Sequence, residues 1–98
     1  MSSTYAWVIT QDCLPPRSGK SLEGIRGPSS CHLSREEIVS QPEAKKFRML
    51  DADGVVYVYG WFVDLVGTAT GFEPKDDFGE PELGCTDIQY RDGVWKSL

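Results

Sequence analysis

The sequence has few of the residues that most often build metal sites and catalytic centres. It contains one histidine, His32, and three cysteines, Cys13, Cys31 and Cys85, with no C-x-x-C pair. A single histidine offers acid–base catalysis one candidate and no evident carboxylate partner. The cysteine spacing matches no standard zinc site, and an odd number is unusual for an exported disulfide scaffold. We therefore expect reduced thiols, no metal and no other cofactor.

Long apolar runs are also missing. No run approaches the length of about 18 residues that a membrane-spanning helix needs. The chain begins MSSTYAWVITQD, which lacks the basic and apolar regions of a signal peptide. These absences predict a cytoplasmic protein with no membrane contact. The hydrophobic fraction of 40% and the charged fraction of 26% are ordinary for a globular protein, so we expect one domain over residues 1–98.

Two familiar ligand-binding motifs are present only in part. Residues 18–21, SGKS, resemble the end of a phosphate-binding loop, but the chain has Leu14 where that motif requires glycine. Residues 51–54, DADG, resemble the start of a calcium-binding loop, whose twelfth position should be glutamate and is Phe62. We expect neither a nucleotide phosphate nor calcium at these segments.

The most informative segment is residues 45–62, KKFRMLDADGVVYVYGWF. Asp53-Gly54 favours a two-residue type I′ turn, which predicts a β-hairpin in which Met49 pairs with Val58. Side chains alternate between the two faces of a strand. One face of this hairpin is purely apolar, and we expect it to be core: Phe47, Met49, Val56, Val58 and Phe62.

The opposite face of the hairpin mixes aromatic rings with basic side chains. We take five of its residues as a candidate partner- or ligand-binding site: Tyr57, Tyr59, Trp61, Lys46 and Arg48. Two interpretations stay open, because a helix or a long loop could cover this face, or a partner could contact it. A homodimer is the simplest partner. Single-stranded nucleic acid could stack on the rings, but the net charge of −5 disfavours it.

Charge is distributed unevenly along the chain. Residues 1–50 hold seven Lys/Arg against five Asp/Glu, a net charge of +2, and residues 51–98 hold three against ten, a net charge of −7. Much of the acid lies in one loop: Glu73, Asp76, Asp77, Glu80 and Glu82. Such a patch repels phosphate, so we expect no nucleic-acid partner. It is either a solvated loop or a surface that attracts a basic protein or a cationic ligand.

Two further elements follow from local patterns. Tyr5, Trp7 and Ile9 alternate with smaller residues, which predicts a first strand over residues 5–11. Ser34 followed by Glu37 forms a capping-box pattern, which predicts a helix from residue 35 to about residue 40. Residues 12–28 and 67–84 are rich in glycine and proline, and we expect long loops there. Phe72 and Phe78 are the expected anchors of the second loop.

Asp92-Gly93 predicts a second hairpin near the end of the sequence. A two-residue turn there pairs Tyr90 with Trp95, and Ile88 then shares their core-directed face. Together these elements predict an α+β fold with a mainly antiparallel sheet of about five strands, built from β-hairpins, and one short helix packed on it.

One stretch of sequence carries a resemblance. DDFGEPELGCTDI, residues 76–88, together with WVIT at residues 7–10, resembles small uncharacterised bacterial proteins. Some of those proteins are carried on mobile elements such as integron cassettes and phages. The resemblance implies an accessory role and assigns no function to any residue.

The favoured interpretation is a small cytoplasmic binding module without enzymatic activity, which associates with itself or with another protein. One alternative is a small-molecule binder that takes an apolar or cationic ligand. Another is an enzyme that uses Cys31, since a cysteine just before a helix can have a lowered pKa.

Overall fold

The computed structural model describes residues 4–13, 21–29 and 31–98. Its elements, in chain order, are β1 (Tyr5–Asp12), β2 (Arg26–Gly27), α1 (Arg35–Val39), β3 (Lys45–Leu50), β4 (Val56–Asp64), a π-helical turn (Lys75–Gly79), α2 (Glu80–Leu83), β5 (Asp87–Asp92) and β6 (Val94–Ser97). The strands form one antiparallel sheet in the order β2-β1-β4-β3-β5-β6. The predicted α+β class is confirmed, and the two-residue β2 makes a sixth strand.

The sheet carries an apolar cluster on each face. The larger cluster consists of Trp7, Ile9, Phe47, Met49, Val58, Phe62, Cys85 and Ile88. The smaller cluster consists of Ala6, Val8, Ile38 and Val63 and lies where α1 packs on β1 and β4. The predicted core face of the first hairpin is confirmed, except that Val56 is only half-buried. The predicted alternation of β1 is also confirmed, because its neighbours in sequence contribute to opposite clusters.

Helix α1 begins as its sequence predicts. The Glu37 backbone N–H donates to Ser34 Oγ at 3.2 Å, and the Ser34 backbone N–H donates to Glu37 Oε1 at 3.0 Å. This reciprocal pair is the complete capping box. The helix has only five residues, so its packing matters more than its intrinsic propensity. Ile38 provides that packing, because it is fully buried against the sheet.

The first hairpin has the predicted register but a different turn. Met49 pairs with Val58 as expected, whereas Leu50 pairs with Val56, so the strands slip by one residue at a bulge. The Gly54 backbone N–H donates to the Asp51 carbonyl at 3.0 Å, and Gly54 has a φ of 81°. The connection is therefore a turn followed by a left-handed glycine rather than the predicted two-residue type I′ turn.

This turn predicts a stability effect at Gly54. We expect Gly54→Val to lower the free energy of unfolding by about 1–3 kcal/mol, because a β-branched residue resists positive φ. A Cβ at Gly54 would meet nothing within 4 Å, so backbone strain alone causes the loss. Urea denaturation measures it. Asp53→Ala is the control and should cost much less. Equal losses at both positions would support the two-residue turn instead.

The second hairpin departs further from its prediction. Asp92 pairs with Val94 and Arg91 pairs with Trp95, so the chain reverses around Gly93, whose φ is 77°. The register differs by one residue from the predicted pairing of Tyr90 with Trp95. A one-residue slip moves a side chain to the other face of a sheet. Trp95 therefore lies on the face opposite Tyr90, and its predicted place in the core is wrong.

The predicted loop over residues 67–84 is helical in its second half. Pro81 lies in the first turn of α2, where its missing N–H costs no helical hydrogen bond. Gly84 ends α2 with a φ of 75°, which is a common way for a helix to end. Phe78 packs against Trp7 with ring centroids 5.7 Å apart, as predicted for an anchor. Phe72 is 38% exposed and does not serve as one.

Candidate functional site

One half of the sheet face that bears α1 has no helix over it among the described residues. Helix α1 packs on β1 and β4, which leaves the part formed by β3, β5 and β6 open. Directly paired residues share a face of the sheet, so the pairings of Arg48 with Tyr59 and of Arg91 with Trp95 identify what lies there. We call this surface the basic–aromatic face: Lys46, Arg48, Tyr59, Arg91 and Trp95.

The aromatic rings of this face hold the cations in place. The Arg48 guanidinium carbon lies 4.5 Å from the centroid of the Trp95 ring, and that of Arg91 lies 5.8 Å from the same centroid. The Lys46 ammonium lies 5.6 Å from the centroid of Tyr59. The Tyr59 and Trp95 rings contact each other at 5.7 Å. Exposed cation–π contacts contribute about 0.5–1 kcal/mol each, so the main effect is to restrict how these side chains point.

Arg48 is the most strongly fixed of the three cations. Its Nε–H donates to Gln89 Oε1 at 2.8 Å. Gln89 is itself held by the Ser97 hydroxyl, which donates to the Asp87 carboxylate at 2.8 Å and accepts from Gln89 Nε2 at 3.3 Å. The two terminal nitrogens of Arg48 have no hydrogen-bond partner among the described residues. The result is a guanidinium held over the Trp95 ring, with two terminal nitrogens unused by the described residues and little freedom to reorient.

The charge on this face is not balanced locally. Over the described ranges, the ion pairs of the chain involve Lys75 only, with Asp76 at 4.0 Å and with Glu80 at 3.2 Å. No carboxylate therefore lies within ion-pair distance of Lys46, Arg48 or Arg91. This is notable in a chain with fifteen acidic residues and a net charge of −5. Asp87, two residues before Gln89 on β5, is a carboxylate on this face, but it accepts from the Ser97 hydroxyl rather than pairing with a cation. The three cations outnumber it, so the basic–aromatic face is a locally positive surface.

The five residues predicted from the hairpin are only partly together. Lys46, Arg48 and Tyr59 lie side by side as expected. Trp61 is half-buried and packs against the smaller cluster, which includes Ile38 of α1, so it does not share the open part of this face. Tyr57 packs against the larger cluster instead, because the bulge after Met49 removes it from the predicted face.

Tyr57 has a structural partner in its new position. Its hydroxyl donates to the Asp51 carboxylate at 3.2 Å. This hydrogen bond raises the pKa of Tyr57. The pKa of Asp51 is lowered first by the hydrogen bond from the Val55 backbone N–H and to a smaller extent by Tyr57. The Asp51 carboxylate also accepts from the backbone N–H groups of Asp53 and Val55. Tyr57 therefore supports the hairpin turn.

The predicted acidic loop is partly occupied by internal contacts. Asp77 accepts from the Tyr5 hydroxyl at 2.7 Å and from the Trp7 indole N–H at 3.1 Å. Burial and this hydrogen bond raise the pKa of Tyr5 well above its ordinary value. Lys75 pairs with Glu80 across one turn. Asp77 thus links the helical segment, residues 75–83, to β1. The charge pattern alone does not indicate this structural role.

The other acidic residues differ in their surroundings. Glu73 accepts from the backbone N–H groups of Thr70 and Gly71, and such hydrogen bonds hold its pKa below the ordinary value against the opposing effect of burial. Asp76 and Glu82 are exposed. Across the described part of the chain, no three His, Cys, Asp or Glu side chains are grouped so that they could hold a metal ion.

The three cysteines are free thiols in different environments. Cys13 is exposed, Cys31 is half-buried and Cys85 is fully buried. Burial raises the pKa of the Cys85 thiol to about 11, which makes it unreactive at neutral pH. Cys31 packs against the smaller cluster. The hypothesis that Cys31 carries an enzymatic reaction stays a prediction.

Sequence reasoning missed two residues of the basic–aromatic face, Arg91 and Trp95. The error came from the second hairpin, where the two-residue turn at Asp92-Gly93 was assumed. The sequence did contain a signal for the correct register. A turn around Gly93 alone pairs Arg91 with Trp95, which repeats the basic–aromatic pairing of Arg48 with Tyr59 in the first hairpin. A register that gathers like chemistry on one face is an informative alternative.

Within the described residues, no helix is both long enough and apolar enough to cross a membrane. Comparison of the chain with protein-family models, with curated proteins and with solved structures found no match. The resemblance to small bacterial proteins therefore stays a prediction, and the geometry of the chain itself carries the functional argument.

Proposed function

We propose that this protein is a non-enzymatic interaction module and that its basic–aromatic face binds a carboxylate-rich segment of a partner protein. One observation carries the proposal. Arg48 is stacked on Trp95 and tethered through Nε to Gln89, while its two terminal nitrogens lack a partner among the described residues. A fixed guanidinium with two free donors matches the two oxygens of a carboxylate.

Carboxylate fits this face better than a nucleic acid does. Single-stranded nucleic acid binds by stacking its bases on open aromatic faces. Here the guanidinium groups of Arg48 and Arg91 already lie over the Trp95 ring, and the Tyr59 ring also contacts it, tilted at an interplanar angle of 56°.

An acidic protein segment also suits the size of the charged surface. Lys46, Arg48 and Arg91 offer three positive charges on three neighbouring side-chain positions, so a short run of Asp or Glu can complement them. A second copy of this chain offers exposed carboxylates of its own, those of Asp76 and Glu82 on its helical segment. Self-association is therefore one form of the same interaction.

The test uses a fluorescently labelled hexaglutamate peptide as the probe. We expect Arg48→Gln to weaken peptide binding by about tenfold to a hundredfold, because a charge-assisted hydrogen bond contributes about 1.5–3 kcal/mol. Lys96→Gln is the matched control, since it also removes one positive charge from the sheet, on β6 of the second hairpin. Lys96 pairs with Tyr90 and therefore lies on the opposite face. Binding should also weaken as salt is raised.

Each outcome bears on the proposal. A selective loss in Arg48→Gln supports it. Equal losses in Arg48→Gln and Lys96→Gln would show that only net charge matters and would overturn it, as would tighter binding of a labelled oligothymidylate than of the peptide. Sedimentation of the wild type identifies the form of the interaction: a mass above that of the monomer, reduced in Arg48→Gln, shows that a second copy supplies the acid.

A further inference from the structure

We propose that the other face of the sheet holds a binding site for a small, uncharged, apolar molecule, a function separate from the basic–aromatic face. A groove of about 630 Å³ lies there, within the range of about 300–1,000 Å³ that is typical of small-molecule sites. We call it the apolar groove, after its apolar and aromatic lining: Phe62, Leu65, Val66, Ala69, Tyr90 and Leu98.

The floor of the groove is aromatic and well supported. Phe62 and Tyr90 meet edge to face, with ring centroids 6.0 Å apart and an interplanar angle of 74°. Phe47 packs against Tyr90 from below at 6.1 Å, and Tyr5 stacks on Phe62 at 6.1 Å. These contacts fix both floor rings within the larger cluster. An apolar ring or chain placed on this floor would meet a surface that does not need to rearrange.

The wall of the groove is the loop that follows β4, residues 65–71, and hydrogen bonds fix its conformation. The Asp64 carboxylate accepts from four consecutive backbone N–H groups, those of residues 66–69, at 2.8–3.3 Å. Glu73 accepts from the N–H groups of Thr70 and Gly71. The Tyr90 hydroxyl donates to the Gly71 carbonyl at 2.7 Å and ties the loop to β5. A preformed wall lowers the entropic cost of binding a ligand.

The rim exposes apolar side chains around the concavity. Leu65 is 39% exposed, Val66 is 58% exposed and Leu98 is 54% exposed. Single exposed apolar residues are ordinary, but several around one groove mark a binding site. A bound apolar molecule would remove this surface from water together with its own, which is favourable.

The charges near the groove favour a neutral ligand. Lys45 and Glu43 both line it and carry opposite charges. The Asp64 carboxylate already accepts hydrogen bonds from the loop N–H groups. Burial alone would raise the pKa of Asp64, but these hydrogen bonds outweigh it and hold the pKa below its ordinary value. A cation or an anion in the groove would gain little net attraction, whereas an apolar body fits the lining.

The test uses N-phenyl-1-naphthylamine, a neutral apolar probe whose fluorescence rises when it leaves water. We expect saturable binding to the wild type and about tenfold weaker binding to Val66→Glu, because a charge beside a bound apolar ring is unfavourable. Val55→Glu is the matched control, since Val55 is 54% exposed, close to the value for Val66, and does not line the groove. Circular dichroism confirms that both variants are folded.

The outcomes separate this proposal from the preceding one. Binding that is lost in Val66→Glu and kept in Val55→Glu and in Arg48→Gln supports it. Absence of saturable binding to the folded wild type would overturn it, as would equal losses in Val66→Glu and Val55→Glu. A third result would also overturn it: the wild type self-associates, Val66→Glu abolishes this, and the probe competes with it. A second copy of the chain would then be the natural occupant of the groove.

Discussion

Phe47→Ala should lower the free energy of unfolding by about 3–5 kcal/mol, the largest loss that we expect from a single truncation in this chain. Phe47 is fully buried on β3, which lies between β4 and β5 in the sheet. Its ring contacts Tyr90 at 6.1 Å and covers the backbone of Gly60. Removing the ring leaves a cavity whose walls are strands that cannot close around it.

Chemical denaturation followed by tryptophan fluorescence measures this loss. Lys45→Ala is the control on the same strand, because Lys45 is exposed and surface substitutions usually change stability by less than about 0.5 kcal/mol. A loss below about 1 kcal/mol for Phe47→Ala would mean that the site collapses without a cavity. The larger cluster would then not be the main core of the protein.

Gly60→Ala should also destabilise the protein, with an expected loss of about 1–3 kcal/mol. A Cβ at Gly60 would collide with the carbonyl oxygen of Val8 and would lie 2.6 Å from Cζ of Phe47. Gly60 is therefore glycine because the Phe47 ring and the β1 backbone occupy the space above it. The sign of the change in the free energy of unfolding is informative, because alanine in place of glycine normally stabilises a compatible site by about 0.4–1 kcal/mol.

A double-mutant cycle isolates the steric part of this effect. Leucine is shorter than phenylalanine, so Gly60→Ala should cost less in a Phe47→Leu background than in the wild type, with a coupling energy of about 0.5–3 kcal/mol. Thermal and urea unfolding of the four proteins supply the cycle. Additive effects would show that the Phe47 ring does not restrict Gly60, and a stabilised Gly60→Ala would contradict the close approach itself.

The two proposed sites lie on opposite faces of one sheet, and the same alternation of side chains produces both. On β3, Lys46 and Arg48 point to the basic–aromatic face, while Lys45 and Phe47 point to the face of the apolar groove. Variants at Arg48 and at Val66 can therefore be tested independently, because no residue of one site belongs to the other. Residues more than about 7–10 Å apart without shared partners behave additively.

Features set by short-range interactions could be predicted from the sequence. The alternation of β1, the capping box of Ser34 and Glu37, and the pairing of Met49 with Val58 are all found in the structure. In each case the deciding energy involves residues close together in the chain: a period of two, a side chain bonded to a nearby N–H, a turn between adjacent strands. The apolar face of the first hairpin followed from the same period.

Features that depend on register and on distant packing could not be predicted. A one-residue slip around Gly93 decides that Trp95 lies over Arg48 rather than in the core, and both registers satisfy the local turn chemistry. A bulge likewise moves Tyr57 to the other cluster. The apolar groove depends on the loop between β4 and the helical segment, which Tyr90, on a strand far along the chain, ties to the sheet.

By itself, then, the sequence determined an antiparallel α+β sheet with one capped helix and a basic, aromatic strand face, because those properties are encoded in local spacing. The tertiary structure alone decided which aromatic residues share that face, where the acidic residues find partners, and that Gly60 must lack a side chain. These depend on which strands become neighbours, and the free-energy differences between neighbouring registers come from contacts between residues that are distant in sequence.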